Sequence, residues 1–144
     1  MKKVILIVAV ALMGNFAYAQ KISSSEVPTA VSSKFTSMYP KTSMDHWKKE
    51  NGNYEAKFTQ DGKKMCVVMD PSGNVIKTST KISVSELPSP VNDYVAKNYN
   101  NQKISEAEKI SEADGQTRYE AKVSDTHLCF DANGNYIKSE KRKS

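Results

Sequence analysis

The chain has 144 residues, with 21 Lys and Arg against 16 Asp and Glu and a formal net charge of +5. Setting aside Lys2 and Lys3 of an N-terminal address leaves 19 basic against 16 acidic residues, and the surplus sits mainly between Lys138 and Lys143. No basic and aromatic face accompanies that tail, so nucleic acid is not expected as a partner. The tail reads as a solvated end with weak attraction for anionic surfaces.

The first nineteen residues predict a signal peptide. Lys2 and Lys3 form a basic start, Val4 to Leu12 an apolar run, and Ala17-Tyr18-Ala19 a small-x-small cleavage site before Gln20. The run falls short of the about 20 apolar residues that span a bilayer, and no cysteine follows the site for a lipid anchor. The expected product is periplasmic or secreted, without stable membrane insertion. An uncleaved N-terminal anchor is the alternative.

What remains, a single domain by size, repeats itself. Ile22-Ser-Ser-Ser-Glu-Val-Pro-Thr-Ala-Val31 returns as Ile82-Ser-Val-Ser-Glu-Leu-Pro-Ser-Pro-Val91, Tyr54-Glu-Ala-Lys-Phe58 as Tyr119-Glu-Ala-Lys-Val123, and Asp70-Pro-Ser-Gly-Asn-Val-Ile-Lys77 as Asp131-Ala-Asn-Gly-Asn-Tyr-Ile-Lys138. These blocks agree at 15 of 23 positions in unchanged order, the mark of a duplicated unit. Residues 20–80 form the first copy and 81–144 the second, fused into one domain.

Each copy opens with a predicted amphipathic helix. Val27, Ala30, Val31, Phe35, Met38 and Tyr39 form one apolar stripe, and Leu87, Pro90, Val91, Val95 and Tyr99 repeat its spacing. Ser25 and Ser85 stand at the expected N-caps, with Pro28, Pro88 and Pro90 in a first turn. Pro40 and Asn100-Asn101 end the helices. Strand material follows: Tyr54, Ala56 and Phe58 alternate with Glu55 and Lys57, and Tyr119, Ala121 and Val123 with Glu120 and Lys122. Asn51-Gly-Asn53, Asp61-Gly62 and Asp114-Gly115 predict hairpin turns. Met65–Met69 and Leu128–Phe130 each lead through Asp-x-x-Gly-Asn to a last strand. The fold class is therefore α+β, a tandem of one helix and about four antiparallel strands, giving one curved sheet of up to eight strands with both helices on one face. Val75 to Ser83 is the sole connection between the halves, too strand-like for a flexible linker.

Few residues suggest chemistry. Asp131 to Asn135 invites a calcium reading, but an EF-hand loop needs glycine at its sixth position and glutamate at its twelfth. Glycine here is fourth and the twelfth residue is Arg142, so both Asp-x-x-Gly-Asn stretches are expected to be turns and no metal is expected. Cys66 and Cys129 are the only cysteines. They are not repeat equivalents: Cys66 aligns with His127 and Cys129 with Val68. Strand order would place them about 19 Å apart, beyond a disulfide's reach, so two buried thiols are favoured over a bridge. The same separation defeats a Cys66–His127 nucleophile pair, and no Gly-x-Ser-x-Gly, His-Glu-x-x-His or Cys-x-x-Cys occurs. No enzyme and no cofactor are expected.

Trp47, inside His46-Trp-Lys-Lys49, has Ala107 as its counterpart and reads as packing or as a binding anchor. Glu55, Lys57, Glu120 and Lys122 read as a solvated stripe that would also line any concave sheet surface. The candidate binding surface is His46, Trp47, Glu55, Lys57, Glu120 and Lys122.

The Val27-Pro-x-x-Val31 and Leu87-Pro-x-x-Val91 starts, the tyrosine-ended helices, Trp47, Tyr54-Glu-Ala-Lys-Phe58 and Asp70-Pro-Ser-Gly73 together resemble the beta-lactamase-inhibitor-like, PepSY-like proteins exported by Bacteroidota. The resemblance covers nearly the whole mature chain. It implies a helix-and-sheet tandem like that of the beta-lactamase inhibitory protein, and a non-enzymatic role, since related PepSY domains hold or inhibit peptidases. The second copy lacks the tryptophan and carries a first hairpin five residues longer, Ser105 to Gln116. The functional expectation is an exported binding or inhibitor-like monomer that contacts a periplasmic protein or peptide through its sheet face. A small-ligand or envelope-surface binder is the alternative.

Overall fold

The computed structural model describes residues 19–142. The expected signal peptide lies almost wholly outside them. The described chain runs β1 (Gln20–Ile22), α1 (Thr29–Met38), β2 (Ser43–Glu50), β3 (Asn53–Gln60), β4 (Lys63–Met69), β5 (Val75–Ile82), α2 (Ser89–Asn98), β6 (Ile104–Glu112), β7 (Thr117–Val123), β8 (Thr126–Asp131) and β9 (Tyr136–Lys141). All nine strands join one sheet in sequence order, each antiparallel to its neighbours.

The ninth strand, beyond the eight expected from two copies of four, is the short β1. Ile22 pairs with Trp47 as Ile82 pairs with Ala107, so β1 stands where the end of β5 stands before the second half. β5 thus closes one half and opens the next, and it joins both into a continuous sheet.

Ser25 and Ser85 are not the helix N-caps. They lie inside short 3-10 turns, Ser24–Glu26 and Val84–Glu86, that precede the helices. There the Glu26 carboxylate accepts from the Ser23 N–H at 2.7 Å, and Glu86 from the Ser83 N–H at 2.8 Å. The helices themselves start after Pro28 and Pro88, whose fixed φ of −55° suits a helix entry. Asn100 and Asn101 stop α2 by adopting φ of 50° and 56°, a left-handed conformation that asparagine tolerates.

The helices bury one stripe each. Val31 and Phe35 of α1 pack on Trp47, Tyr54, Ala56, Phe58, Val67 and Met69; Val91 and Val95 of α2 pack on Ala107, Ala121, Val123, Leu128 and Phe130. Strand alternation puts both sets on the same side of the sheet: Val67 pairs with Thr78, Ile82 shares the parity of Thr78, and Ile82 packs in the second core. The other side carries no helix.

Asn51-Gly52 and Asp61-Gly62 turn their hairpins with positive φ at both residues, the combination that matches strand twist. The Asp-x-x-Gly-Asn stretches are turns, as expected. Asp70 Oδ1 accepts from the Ser72 and Asn74 N–H groups at 2.9 and 3.0 Å, and Asp131 Oδ1 from those of Asn133 and Asn135 at 2.9 Å each.

Candidate functional site

The sheet surface away from the helices is the candidate site. His46, Lys48, Glu55, Lys57, Cys66, Ser79, Lys81, Glu108, Glu120, Lys122 and His127 alternate with core residues along their strands and therefore share it. Val68, Ile110 and Cys129 share that parity, and Ile110 and Cys129 are buried.

Five of the six residues expected at a binding surface stand here, and one does not. Trp47 points to the helix side, is only 5% exposed, and meets Phe35 edge-on at 5.4 Å between ring centroids. Strand alternation sends it into the core while His46 and Lys48 beside it face outward. It is a packing residue with no surface to offer a partner.

The remaining five form two separate groups. In the first half, Lys57 lies 3.7 Å from Glu55, and the His46 ring bonds Asp45 at 2.9 Å while its Nε2 is buried with no partner. In the second half, Lys122 lies 3.9 Å from Glu106. Glu120 is no part of a solvated stripe, being 8% exposed. Its two oxygens are held by His127 at 2.5 Å and Arg142 at 3.2 Å, which satisfies a charge that would otherwise be expensive to bury. Three strands, β4 to β6, lie between β3 and β7, and no ion pair or hydrogen bond links the two groups among the described residues.

Several residues matter that the sequence did not single out as a site. A hollow of about 400 Å³ opens in the first half, lined among others by Asp45, Lys57, Lys64, Cys66, Lys81 and Glu108. Burial pushes the Cys66 thiol up to about 12, so it sits in the hollow as a protonated, inert group. Burial also raises the Glu108 carboxyl, with Glu120 opposite it adding repulsion. The usable clue was the repeat itself, which sets Cys66 against His127 and Ser79 against Glu140.

Cys66 and Cys129 are both free, on β4 and β8, four strands apart. His127 shares the face with Cys129 and bonds Glu120, not a thiol. No group of three or more His, Cys, Asp or Glu side chains positioned for a metal ion occurs among the described residues.

The architecture is that of a helix-backed antiparallel sheet with one free polar face. The chain belongs to the family described as "Putative beta-lactamase-inhibitor-like, PepSY-like", which it matches over residues 14–77 and again over 69–138. Among solved structures it is similar to a protein from Bacteroides eggerthii described as periplasmic, at 18% identity and TM-score 0.71, covering 79% of this chain and 88% of that one. A DUF2874 family protein from Bacteroides ovatus is 26% identical, with TM-score 0.68 and coverage of 78% and 86%. A BLIP-like protein from Bacteroides fragilis is 19% identical, with TM-score 0.62 and coverage of 81% and 89%. No match was found among proteins with curated descriptions.

Proposed function

We propose that the protein is an exported, non-enzymatic binding module that holds a protein or peptide partner against its helix-free sheet face. The observation that carries this is the composition of that face. Nine strands present a broad polar surface, half-buried charges and a hollow of about 400 Å³, while the helices and both apolar cores lie on the other side.

In this view residues 20–80 and 81–144 are two copies of one unit acting as one domain. Export rests on the basic, apolar and small-x-small character of residues 1–19, and the B. eggerthii relative is described as periplasmic. No helix among the described residues is long and apolar enough to cross a membrane.

Affinity capture from envelope extract tests this function. The wild-type chain should retain a reproducible partner, and a chain carrying Lys57→Glu and Lys122→Glu should lose it while melting normally. Equal retention by both chains, or none by either, removes the sheet face from consideration. A free small ligand in the hollow is the second reading, and a ligand that raises the melting temperature without any protein partner would favour it.

A further inference from the structure

We propose that the hollow beside Cys66 seats an acidic side chain from an extended segment of the partner, drawn in by Lys57, Lys64 and Lys81. The inference deepens the proposed function and rests on it.

The two halves of the polar face differ where the hollow lies. In the second half Glu120, His127, Glu140 and Arg142 fill the face with a bonded ion network. The corresponding first-half positions are Glu55, Cys66, Ser79 and Lys81. Two longer polar side chains, His127 and Glu140, are thus replaced by a thiol and a hydroxymethyl group. The surface sinks there, and of the network's four groups only one anion, Glu55, and one cation, Lys81, remain.

Charge is distributed to match. On the polar face of β1 to β5 stand Lys21, Lys48, Lys57, Lys64, Lys77 and Lys81, opposed by Asp45, Glu50 and Glu55. On β6 to β9 the balance reverses, with Glu106, Glu108, Glu112, Glu120 and Glu140 against Arg118, Lys122, Lys138 and Arg142. Lys57 and Lys81 have surface ion pairs at 3.7 and 3.8 Å, weak ones in water. Lys64 has none among the described residues. Glu108, at the hollow's far wall, already resists ionisation and so yields most readily to an incoming carboxylate.

The width of the basic region selects a segment over a free acid. Lys48 on β2 and Lys77 on β5 stand three strands apart, about 14 Å, wider than any small dicarboxylate. An extended acidic peptide spans that distance with every second side chain facing the sheet.

The test is calorimetric titration of the mature chain with an acetylated, amidated peptide of alternating Glu and Ser, about eight residues long and about 26 Å extended. The matched Gln and Ser peptide and free glutarate are the comparison arms. The acidic peptide should bind, and should lose at least about tenfold in affinity when Lys57, Lys64 and Lys81 are all changed to Gln or when salt rises from about 50 to about 300 mM. Ser79→Glu, which supplies an internal carboxylate, should weaken it too, and Glu108→Gln should strengthen it. Cooperative melting at temperatures no lower than that of the wild type establishes that these variants fold. Equal binding of the Gln and Ser peptide, equal binding of glutarate, no binding of the acidic peptide, or indifference to the lysine changes overturns the inference. If the acidic peptide fails while capture through the sheet face still succeeds, the inference falls and the binding function stands.

Discussion

Glu108 on β6 and Glu120 on β7 are direct cross-strand partners, two carboxylates side by side on the polar face of the sheet. Like charges so placed destabilise a strand pair. The chain answers asymmetrically. Glu120 receives His127 and Arg142, while Glu108 is left with a pKa raised by burial and by its neighbour.

Glu108→Gln is therefore expected to raise the melting temperature at pH 7. The sign follows from linkage: a carboxyl whose folded pKa lies above its unfolded value of about 4.3 weakens the fold at neutral pH, and the penalty vanishes once both states are protonated. Melts at pH 7 and pH 3 check this. The gain should be present at the first and absent at the second.

His127→Ala removes one of the two groups that hold buried Glu120. A destabilisation of about 1–3 kcal/mol is expected, since a buried charge loses a partner it cannot replace with water. His127→Ala together with Glu120→Ala should be less harmful than the sum of the single changes. Urea titrations of the three variants measure that coupling.

Gly73 and Gly134 adopt φ of +85° in the two Asp-x-x-Gly-Asn turns. A Cβ on Gly73 would stand 2.6 Å from the Ala30 carbonyl oxygen, and one on Gly134 would stand 3.0 Å from Pro88 Cβ. Each turn is pressed against the start of its helix. Alanine at either position should destabilise by about 1–3 kcal/mol, more at Gly73 where backbone is struck. Gly52→Ala, with open space around it, should show only the smaller left-handed strain. Chemical denaturation of the three variants gives the order.

Cys66 should resist alkylation in the native chain at pH 8 and react at once in denaturant, because burial holds its thiol up to about 12. An unfolded thiol ionises near 8.5, so the fold should lose stability as pH rises from about 9 towards about 12. Cys66→Ser should flatten that alkaline slope. Thiol titration and melts across that range follow both effects.

The sequence carried the fold through local patterns that each copy states twice. Tyr54 to Phe58 and Tyr119 to Val123 alternate strictly, so their strands and faces were legible, and Asp70 and Asp131 announced their turns through the residues they bond. Two things were hidden. β1 is three residues long and shows no alternation of its own; only its pairing with Trp47 to Lys49 makes it a strand. Ser25 and Ser85 resembled helix caps because the Ser-x-x-Glu pairing that starts at Ser23 and Ser83 shapes a short 3-10 turn just upstream of the helix. At the site, Trp47 drew attention by its rarity, yet face parity settles its place, and parity depends on register. The hollow was beyond local patterns altogether. It arises from what Cys66 and Ser79 lack relative to His127 and Glu140, and from strands that meet only in the folded sheet.

The polar sheet face, not the helix side, is expected to meet the partner. A photo-activated crosslinking residue at Lys57 on that face, and separately at exposed Lys34 on α1, tests it in the native envelope. A reproducible protein adduct is expected from position 57 and none from position 34. An adduct from position 34 alone, or from neither, would contradict it.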